Sequence, residues 1–230
     1  MLKTYTYPQF EYVRPPEVAE RRRGHYPVVV VGAGPVGLSM AIDLAIQGQS
    51  VLVLDNDDTV SIGSRGVCYA KRALEVLDRM GCGEPAVQKG VSWNVGRTFF
   101  GEGEVFNFNL RPQEGHERPG MVNLQQYYLE EYLINRAREL PNLEIRFKNN
   151  VISVEQDDAQ ATVRVETPDG AYTLTADWLI AADGARSPIR TMLGLDIDGK
   201  IFMDRFLIAD VIMKADYPAE RWFWFDPPFH

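Results

Sequence analysis

The pattern of apolar and polar positions predicts an α/β protein. Residues 28–31 are four consecutive valines, which is typical of a strand buried on both faces of a parallel sheet. Apolar residues at helical spacing follow at 38–45, Gly48 supplies a helix stop, and residues 50–54 form a second apolar run before Asp55. The order of strand, turn, helix and strand predicts a βαβ unit with two parallel strands.

Three further helices are predicted, each with a residue that begins or ends it. Residues 68–80 carry apolar side chains at helical spacing and end at a glycine, and residues 126–140 do so before Pro141. Ser187 is predicted to be an N-cap with Pro188 at the first helical position.

Short alternating or apolar segments bounded by turn residues predict the remaining strands. They are a hairpin of 97–100 and 105–110, a meander from 151 with a tight turn at 168–170, a buried strand at 178–182, and strands at 202–214 and 221–225. The chain is therefore expected to combine a parallel sheet and a β-meander with part of a second β-sheet.

Composition narrows the classes of partner and site. The net charge of -8 argues against nucleic acid, because a phosphate backbone is bound by a basic face. Cys68 and Cys82 form no CxxC pair, and a reduced, cytoplasmic compartment fits a chain of this size best. The three histidines lie too far apart for metal-ligand spacing, so no metal is expected.

The first 24 residues are interpreted as an N-terminal extension. They are polar, carry the basic run of Arg21, Arg22 and Arg23, and lack the apolar core of a signal peptide. The basic run is interpreted as a solvated segment before the first strand. No apolar stretch of the sequence has the length of a membrane-spanning helix.

A glycine-rich turn at 32–37 carries the first candidate chemistry. In its G-x-G-x-x-G pattern, Gly32 permits a tight turn, Gly34 admits a pyrophosphate, and Gly37 lets helix and strand pack closely. Asp55 stands about 20 residues on, where an acid binds ribose hydroxyls and disfavours a 2′-phosphate. The residues of this unit expected to contact a dinucleotide are Gly32, Gly34, Pro35, Val36, Gly37, Asp55 and Asn56.

A second element at 181–190 follows the predicted strand at 178–182. Asp183 is placed to accept a hydrogen bond from a sugar hydroxyl, Gly184 permits a close turn, and Arg186 or Arg190 faces phosphate charge. The same residues fit a capped strand–helix turn with surface arginines, and the pattern leaves both readings open.

Together, the G-x-G-x-x-G at 32–37 and the A-D-G-A-R-S-P-x-R at 182–190 resemble the FAD-dependent aromatic-ring hydroxylases. The likeness is greatest to the 3-(3-hydroxyphenyl)propionate and phenol hydroxylase branch of these single-component monooxygenases. By this resemblance, Arg65 approaches the FAD pyrophosphate, Gln126 contacts the flavin nucleotide, and Asp183 and Gly184 serve both FAD and the nicotinamide cofactor. No catalytic residue is assigned.

The resemblance also implies the function and the division into domains. It implies hydroxylation of a phenolic or other small aromatic substrate with NAD(P)H as co-substrate and O2, and it is compatible with a homodimer. The fold class is then a Rossmann-like FAD/NAD(P)-binding domain with part of a substrate-binding β domain. The expected division is 1–24 as extension, 25–90 and 118–200 as FAD-binding domain, and 91–117 and 201–230 as partial substrate domain.

The sequence departs from the family in lacking a third signature, a G-D near the end of the flavin domain. We therefore expect an N-terminal piece of a longer enzyme, produced by truncation, proteolysis or an early stop, with weak FAD retention and little hydroxylase activity. Three alternatives stay open: a nucleotide-binding module without catalysis, an NAD-dependent dehydrogenase, and a flavin-dependent halogenase. The halogenase is suggested by the W-x-W pattern at 222–224.

Overall fold

The fold is described from a computed structural model, which covers residues 5–63, 65–111, 114–209 and 211–227. The elements in chain order are α1 (Pro16–Glu20), β1 (Gly24–Val31), α2 (Pro35–Ile46), β2 (Val51–Leu54), β3 (Cys68–Ala70), α3 (Lys71–Arg79), α4 (Gly83–Lys89), β4 (Val91–Trp93), β5 (Val95–Phe100), β6 (Gly103–Asn109), β7 (Met121–Asn123), α5 (Gln126–Arg138), β8 (Leu143–Arg146), β9 (Asn150–Gln156), β10 (Ala161–Thr167), β11 (Gly170–Ala181), α6 (Pro188–Met192) and β12 (Arg221–Phe225).

A six-stranded sheet in the order β8-β2-β1-β11-β10-β9 forms the centre of the molecule. The pairs β8–β2, β2–β1 and β1–β11 are parallel, whereas β11–β10 and β10–β9 are antiparallel. The carboxyl ends of the parallel strands lie on one edge of the sheet, and ligands of open α/β sheets bind at this edge. The predicted α/β class with a parallel sheet and a β-meander is confirmed.

The valines of β1 explain why this strand lies inside the sheet. Val28 and Val30 belong to the apolar cluster on the side of α2 and α5, and Val29 and Val31 belong to the cluster on the opposite face. Side chains of a strand alternate between faces, so an unbroken apolar run requires burial on both. The predicted βαβ unit is confirmed, with β1 paired to β2 in parallel and α2 between them.

Two smaller sheets carry the rest of the β-structure. The hairpin of β5 and β6 is antiparallel as predicted, and β12 adds to β5 in parallel as an edge strand. A third sheet has the order β3-β7-β4. Within the described part of the chain, no helix combines the length and the apolar character of a membrane crossing.

Three sequence-based expectations were wrong in detail. The helix expected at 68–80 begins only at Lys71, because residues 68–70 pair with β7 as strand β3. Residues 202–209 and 211–214 form no strand, since no described neighbour pairs with them, and Asp210 lies outside the described residues. The strand expected at 178–182 is the end of β11, and Trp178 is 72% exposed because β10 stops opposite Ala176.

Candidate functional site

A cavity of about 450 Å³ opens at the carboxyl ends of β1, β2 and β11, a size typical of small-molecule sites. Among its lining residues are ten predicted from the sequence: Gly32, Gly34, Pro35, Val36, Asp55, Asn56, Arg65, Gln126, Asp183 and Gly184. Gly37, Arg186 and Arg190, which the sequence also suggested, do not line it, and the Arg190 guanidinium donates to the carbonyl oxygen of Ala185. The fold therefore gathers segments as distant in sequence as Gly32 and Gly184 around one cavity.

Two glycines let β1 and α2 approach the end of β11. Gly32 has φ +107°, and a Cβ there would collide with the carbonyl oxygen of Ala182. A Cβ on Gly37 would collide with the carbonyl oxygen of Gly32 and lie 3.2 Å from the Cβ of Ala182. Gly37 thus serves packing rather than ligand contact, in agreement with the role expected for the third glycine.

The N-terminus of α2 supplies donors toward the cavity. Amides in the first turn of a helix have no intrahelical acceptor, and no side chain caps this end. A Cβ on Gly34 would meet no heavy atom within 4 Å, so the space in front of these amides is open. Free N–H groups and the positive end of the helix dipole suit a diphosphate, which fits the expected dinucleotide.

Asp55 is held against the glycine turn by backbone donors. Its Oδ2 accepts from the N–H of Ala33 at 2.5 Å, and its Oδ1 accepts from the N–H of Asp57 at 2.8 Å. Burial raises the pKa of the Asp55 carboxyl above its ordinary value, and the two backbone hydrogen bonds act in the opposite direction. Because each carboxylate oxygen has a second lone pair, Asp55 retains the capacity to accept from a sugar hydroxyl.

Gln126 stands in the cavity wall with its amide engaged by protein groups. Its Nε2 donates to Oε1 of Glu130 at 2.7 Å and to Oγ of Ser61 at 3.2 Å, and its Oε1 accepts from the N–H of Gly66 at 3.2 Å. Gln126 therefore supports the loop at 61–66, which carries Arg65.

Glu130 completes this support from inside the protein. The residue is only 3% exposed, and its two oxygens accept from the N–H and the hydroxyl of Ser61, both at 2.6 Å. Neither Ser61 nor Glu130 was assigned a role from the sequence. Glu130 lies four residues after Gln126, so helical spacing on α5 was the signal that placed them together.

Arg65 is exposed at the rim of the cavity. It has no ion-pair partner within the described part of the chain, and its neighbour Ser64 lies outside the described residues. A guanidinium at the rim of the cavity that the glycine turn also lines suits a diphosphate, the group expected for it.

Asp183 caps the helix that follows it. Its Oδ1 accepts from the hydroxyl of Ser187 at 2.6 Å, and its Oδ2 accepts from the N–H of Ile189 at 3.0 Å. Ser187 is the N-cap of α6, as predicted, and accepts from the N–H of Arg190. The capped-turn reading thus has the observed geometry, while Asp183 and Gly184 also line the cavity.

Further lining residues were missed in the sequence because no motif marks them. They come from the loop after β2, the turn between β8 and β9, the start of β9, and α6: Thr59, Ile62, Asn149, Asn150, Val151 and Ile189. Asn149 is buried, donates its backbone N–H to the carbonyl of Asp55 at 2.7 Å, and accepts from the hydroxyl of Tyr172 at 2.8 Å.

Comparison with known proteins places the chain in a family. Residues 25–226 match the family described as FAD binding domain. The para-nitrophenol 4-monooxygenase of Pseudomonas sp. strain WBC-3 is 36% identical over 187 residues, which cover 80% of this chain and 46% of that protein. The 3-(3-hydroxy-phenyl)propionate/3-hydroxycinnamic acid hydroxylase 2 of Burkholderia vietnamiensis is 32% identical over 192 residues. These residues cover 82% of this chain and 35% of that protein.

Solved structures of monooxygenases are also similar to this chain. The crystal structure of p-nitrophenol 4-monooxygenase PnpA from Pseudomonas putida DLL-E4 is similar with a TM-score of 0.72 and 33% identity, covering 78% of this chain and 46% of that one. A ternary complex of aklavinone-11 hydroxylase with FAD and aklavinone is similar with a TM-score of 0.64 and 31% identity, covering 75% and 35% of the two chains. The chain therefore spans between about a third and a half of these relatives.

Proposed function

The chain belongs to the FAD-binding domain family of the aromatic-ring hydroxylases, and we propose that it forms the flavin-holding part of a phenol-hydroxylating monooxygenase. The observation that carries the proposal is the meeting of three groups at one cavity: the open N-terminus of α2, Asp55 after β2, and the Asp183–Gly184 turn after β11. FAD is the cofactor that this family binds.

The residues of the cavity suggest how FAD would be held. The amides around Gly34 and the Arg65 guanidinium would bind the diphosphate, and Asp55 would accept from ribose hydroxyls. When bound, FAD supplies the redox chemistry that activates O2 for aromatic hydroxylation. The protein contributes binding, orientation and exclusion of water, and we assign no catalytic side chain.

The substrate part of the proposal is a phenolic ring, with NAD(P)H as the source of reducing equivalents. It is supported by the relatives, which are named for para-nitrophenol and for 3-(3-hydroxyphenyl)propionate. We also propose that residues 25–90 and 118–200 act as the FAD-binding domain, and that 91–117 and 201–230 belong to the substrate side. A cytoplasmic location, supported by the two free cysteines, completes the proposal.

Titration of the purified chain with FAD tests the cofactor assignment. Flavin fluorescence should be quenched saturably at one FAD per chain, with NAD+ as a matched dinucleotide that competes poorly. Binding of NAD+ in preference to FAD would instead support a dehydrogenase and contradict the proposal.

Absorbance of the FAD-loaded chain tests the substrate class. Addition of para-nitrophenol or 3-(3-hydroxyphenyl)propionate should shift the flavin bands, because an aromatic ring close to the isoalloxazine changes its environment. A non-aromatic hydroxy acid of similar charge serves as the control. An equal response to the control would contradict the phenolic assignment while leaving the FAD assignment intact.

A further inference from the structure

Residues 5–20, here called the N-terminal strap, lie outside the segment 25–226 that matches the family. Residues 7–10 of the strap form hydrogen bonds with residues 55–63, here called the cavity loop. Six residues of the cavity loop line the cavity: Asp55, Asn56, Asp57, Thr59, Ser61 and Ile62. The strap thus lies outside the family match and contacts the wall of the proposed FAD site.

Two hydrogen bonds join the strap to the middle of the cavity loop. The hydroxyl of Thr59 donates to the carbonyl oxygen of Pro8 at 2.6 Å, and the N–H of Phe10 donates to the carbonyl oxygen of Asp58 at 2.7 Å. Thr59 is itself a lining residue of the cavity. One side chain therefore connects the cofactor site directly to the strap.

The strap is fixed on both sides of these contacts. The ring of Phe10 is 7% exposed and stacks on Phe147 with centroids 4.4 Å apart. Earlier in the strap, Tyr5 donates its hydroxyl to Glu131 on α5 at 2.7 Å. Later, Glu17 on α1 forms a buried ion pair with Arg146. The cavity loop is therefore hydrogen-bonded to a segment that is packed on β8, α5 and the sheet.

The cavity loop has little regular structure of its own. Apart from Val60, its residues are partly or fully exposed, and it has no helix or strand. Its supports other than the strap are Glu130 at Ser61, the short turn at Asp55, and the residues after β8. There the N–H groups of Asn149 and Lys148 donate to the carbonyl oxygens of Asp55 and Asp57, and the Lys148 ammonium pairs with Asp58 at 2.7 Å. A loop that binds a ligand must otherwise be ordered at the cost of conformational entropy when the ligand arrives.

We propose that the N-terminal strap preorders the cavity loop for the adenosine half of FAD, with Thr59 as a positioning residue that acts through the carbonyl of Pro8. The inference rests on the proposed FAD site. It predicts that FAD affinity depends on residues that do not touch FAD.

A double-variant cycle tests the coupling between Thr59 and the strap. Thr59→Val removes the hydroxyl at similar shape and should weaken FAD binding about two- to tenfold, the effect of one net hydrogen bond. Removal of residues 1–9 should weaken FAD binding at least as much. In that shortened chain, Thr59→Val should have no further effect, because its acceptor is gone. An equal loss in both backgrounds would mean that Thr59 acts on FAD directly and would overturn the proposal.

Two point variants serve as controls for this experiment. Tyr12→Phe removes a strap hydroxyl that bonds Thr167 and Asp169, away from the cavity, and should leave FAD affinity unchanged. Thr59→Ser keeps the donor to Pro8 and should restore most of the affinity lost in Thr59→Val.

Amide hydrogen exchange without FAD separates this inference from the proposed function. Thr59→Val should speed exchange at residues 57–63 while β2 stays protected, and Thr59→Ser should not. If the unchanged chain fails to bind FAD, the proposed function fails, and the exchange data still decide whether the strap orders the loop. Unchanged exchange at 57–63 in Thr59→Val would overturn the inference.

Discussion

Glu17 and Arg146, 129 residues apart in the chain, form an ion pair that is shut off from solvent. The Arg146 Nη1 lies 2.9 Å from the Glu17 Oε2, and the two side chains are 4% and 0% exposed. Arg146 also donates to the hydroxyl of Tyr26 at 2.6 Å and to Glu144. Buried charges are tolerated only when each finds partners, so this network fixes α1 on the sheet.

Removal of the Glu17 charge is expected to destabilise the protein strongly. Glu17→Gln leaves the buried guanidinium of Arg146 with only the half-exposed Glu144 as counter-charge, and losing the buried partner of such a pair costs about 3–5 kcal/mol. Urea unfolding measures the change in the free energy of unfolding. Glu20→Gln is the matched control, since Glu20 pairs with Arg22 on the surface and its loss should not be measurable. Similar values for both variants would show that the buried pair adds nothing.

Two glycine variants separate packing from cofactor binding. Gly37→Ala forces a methyl into the backbone of Gly32 and should lower the free energy of unfolding by about 1–3 kcal/mol or more. Gly34→Ala meets no protein atom at a φ of -77°, so the apo protein should be as stable as the unchanged chain.

Gly34→Ala is expected to weaken FAD binding although it leaves the stability of the protein unchanged. The methyl of Gly34→Ala would occupy the space in front of the α2 amides, and FAD affinity should fall at least tenfold, about 1.4 kcal/mol. Thermal unfolding and FAD titration of both variants check these expectations. Retention of full FAD affinity by Gly34→Ala would place the diphosphate elsewhere.

The raised pKa of Asp55 predicts how the free energy of unfolding depends on pH. Burial raises its pKa above the ordinary value of 3.8, so the native chain holds this proton more tightly than the unfolded chain. The stabilising contribution of the protonated carboxyl is complete below 3.8 and is lost as pH rises through the raised pKa. The free energy of unfolding of the unchanged chain, relative to Asp55→Asn, should therefore decrease over this window and be constant above it.

Urea unfolding of both proteins from about pH 3 to pH 7 measures this difference. Taking the difference cancels the other carboxylates, whose titration is common to both chains. A relative stability that increases with pH would indicate a lowered pKa and contradict the stated environment of Asp55.

The cap on α6 predicts a modest and non-additive loss of stability. Asp183→Ala removes the acceptor of the Ile189 N–H and of the Ser187 hydroxyl, and should cost about 0.5–2 kcal/mol. Asp183→Asn keeps one carbonyl acceptor and should cost less. Because Asp183 and Ser187 share one network, combining Asp183→Ala with Ser187→Ala should cost less than the sum, as urea unfolding can measure. Full additivity would rule out the shared cap.

Local patterns were sufficient to predict the part of the fold that short-range physics controls. The valines of β1, the glycine turn at 32–37 and the Ser187 cap each require only neighbours within a few residues to define a strand, a turn or a helix end. Asp55 was assigned because it directly follows a buried strand. Ten of the residues predicted for the site line one cavity, whereas Gly37, Arg186 and Arg190 do not.

Only the tertiary structure decided which distant groups meet. Glu130 and Asn149 reach the cavity wall through packing of α5 and β8, and the strap reaches Thr59 across 51 residues of sequence. Trp178 is exposed because its neighbouring strand is too short, although its own sequence favours burial. Sequence periodicity specifies which face of an element is apolar, whereas the identity of its neighbour depends on contacts that no local pattern encodes.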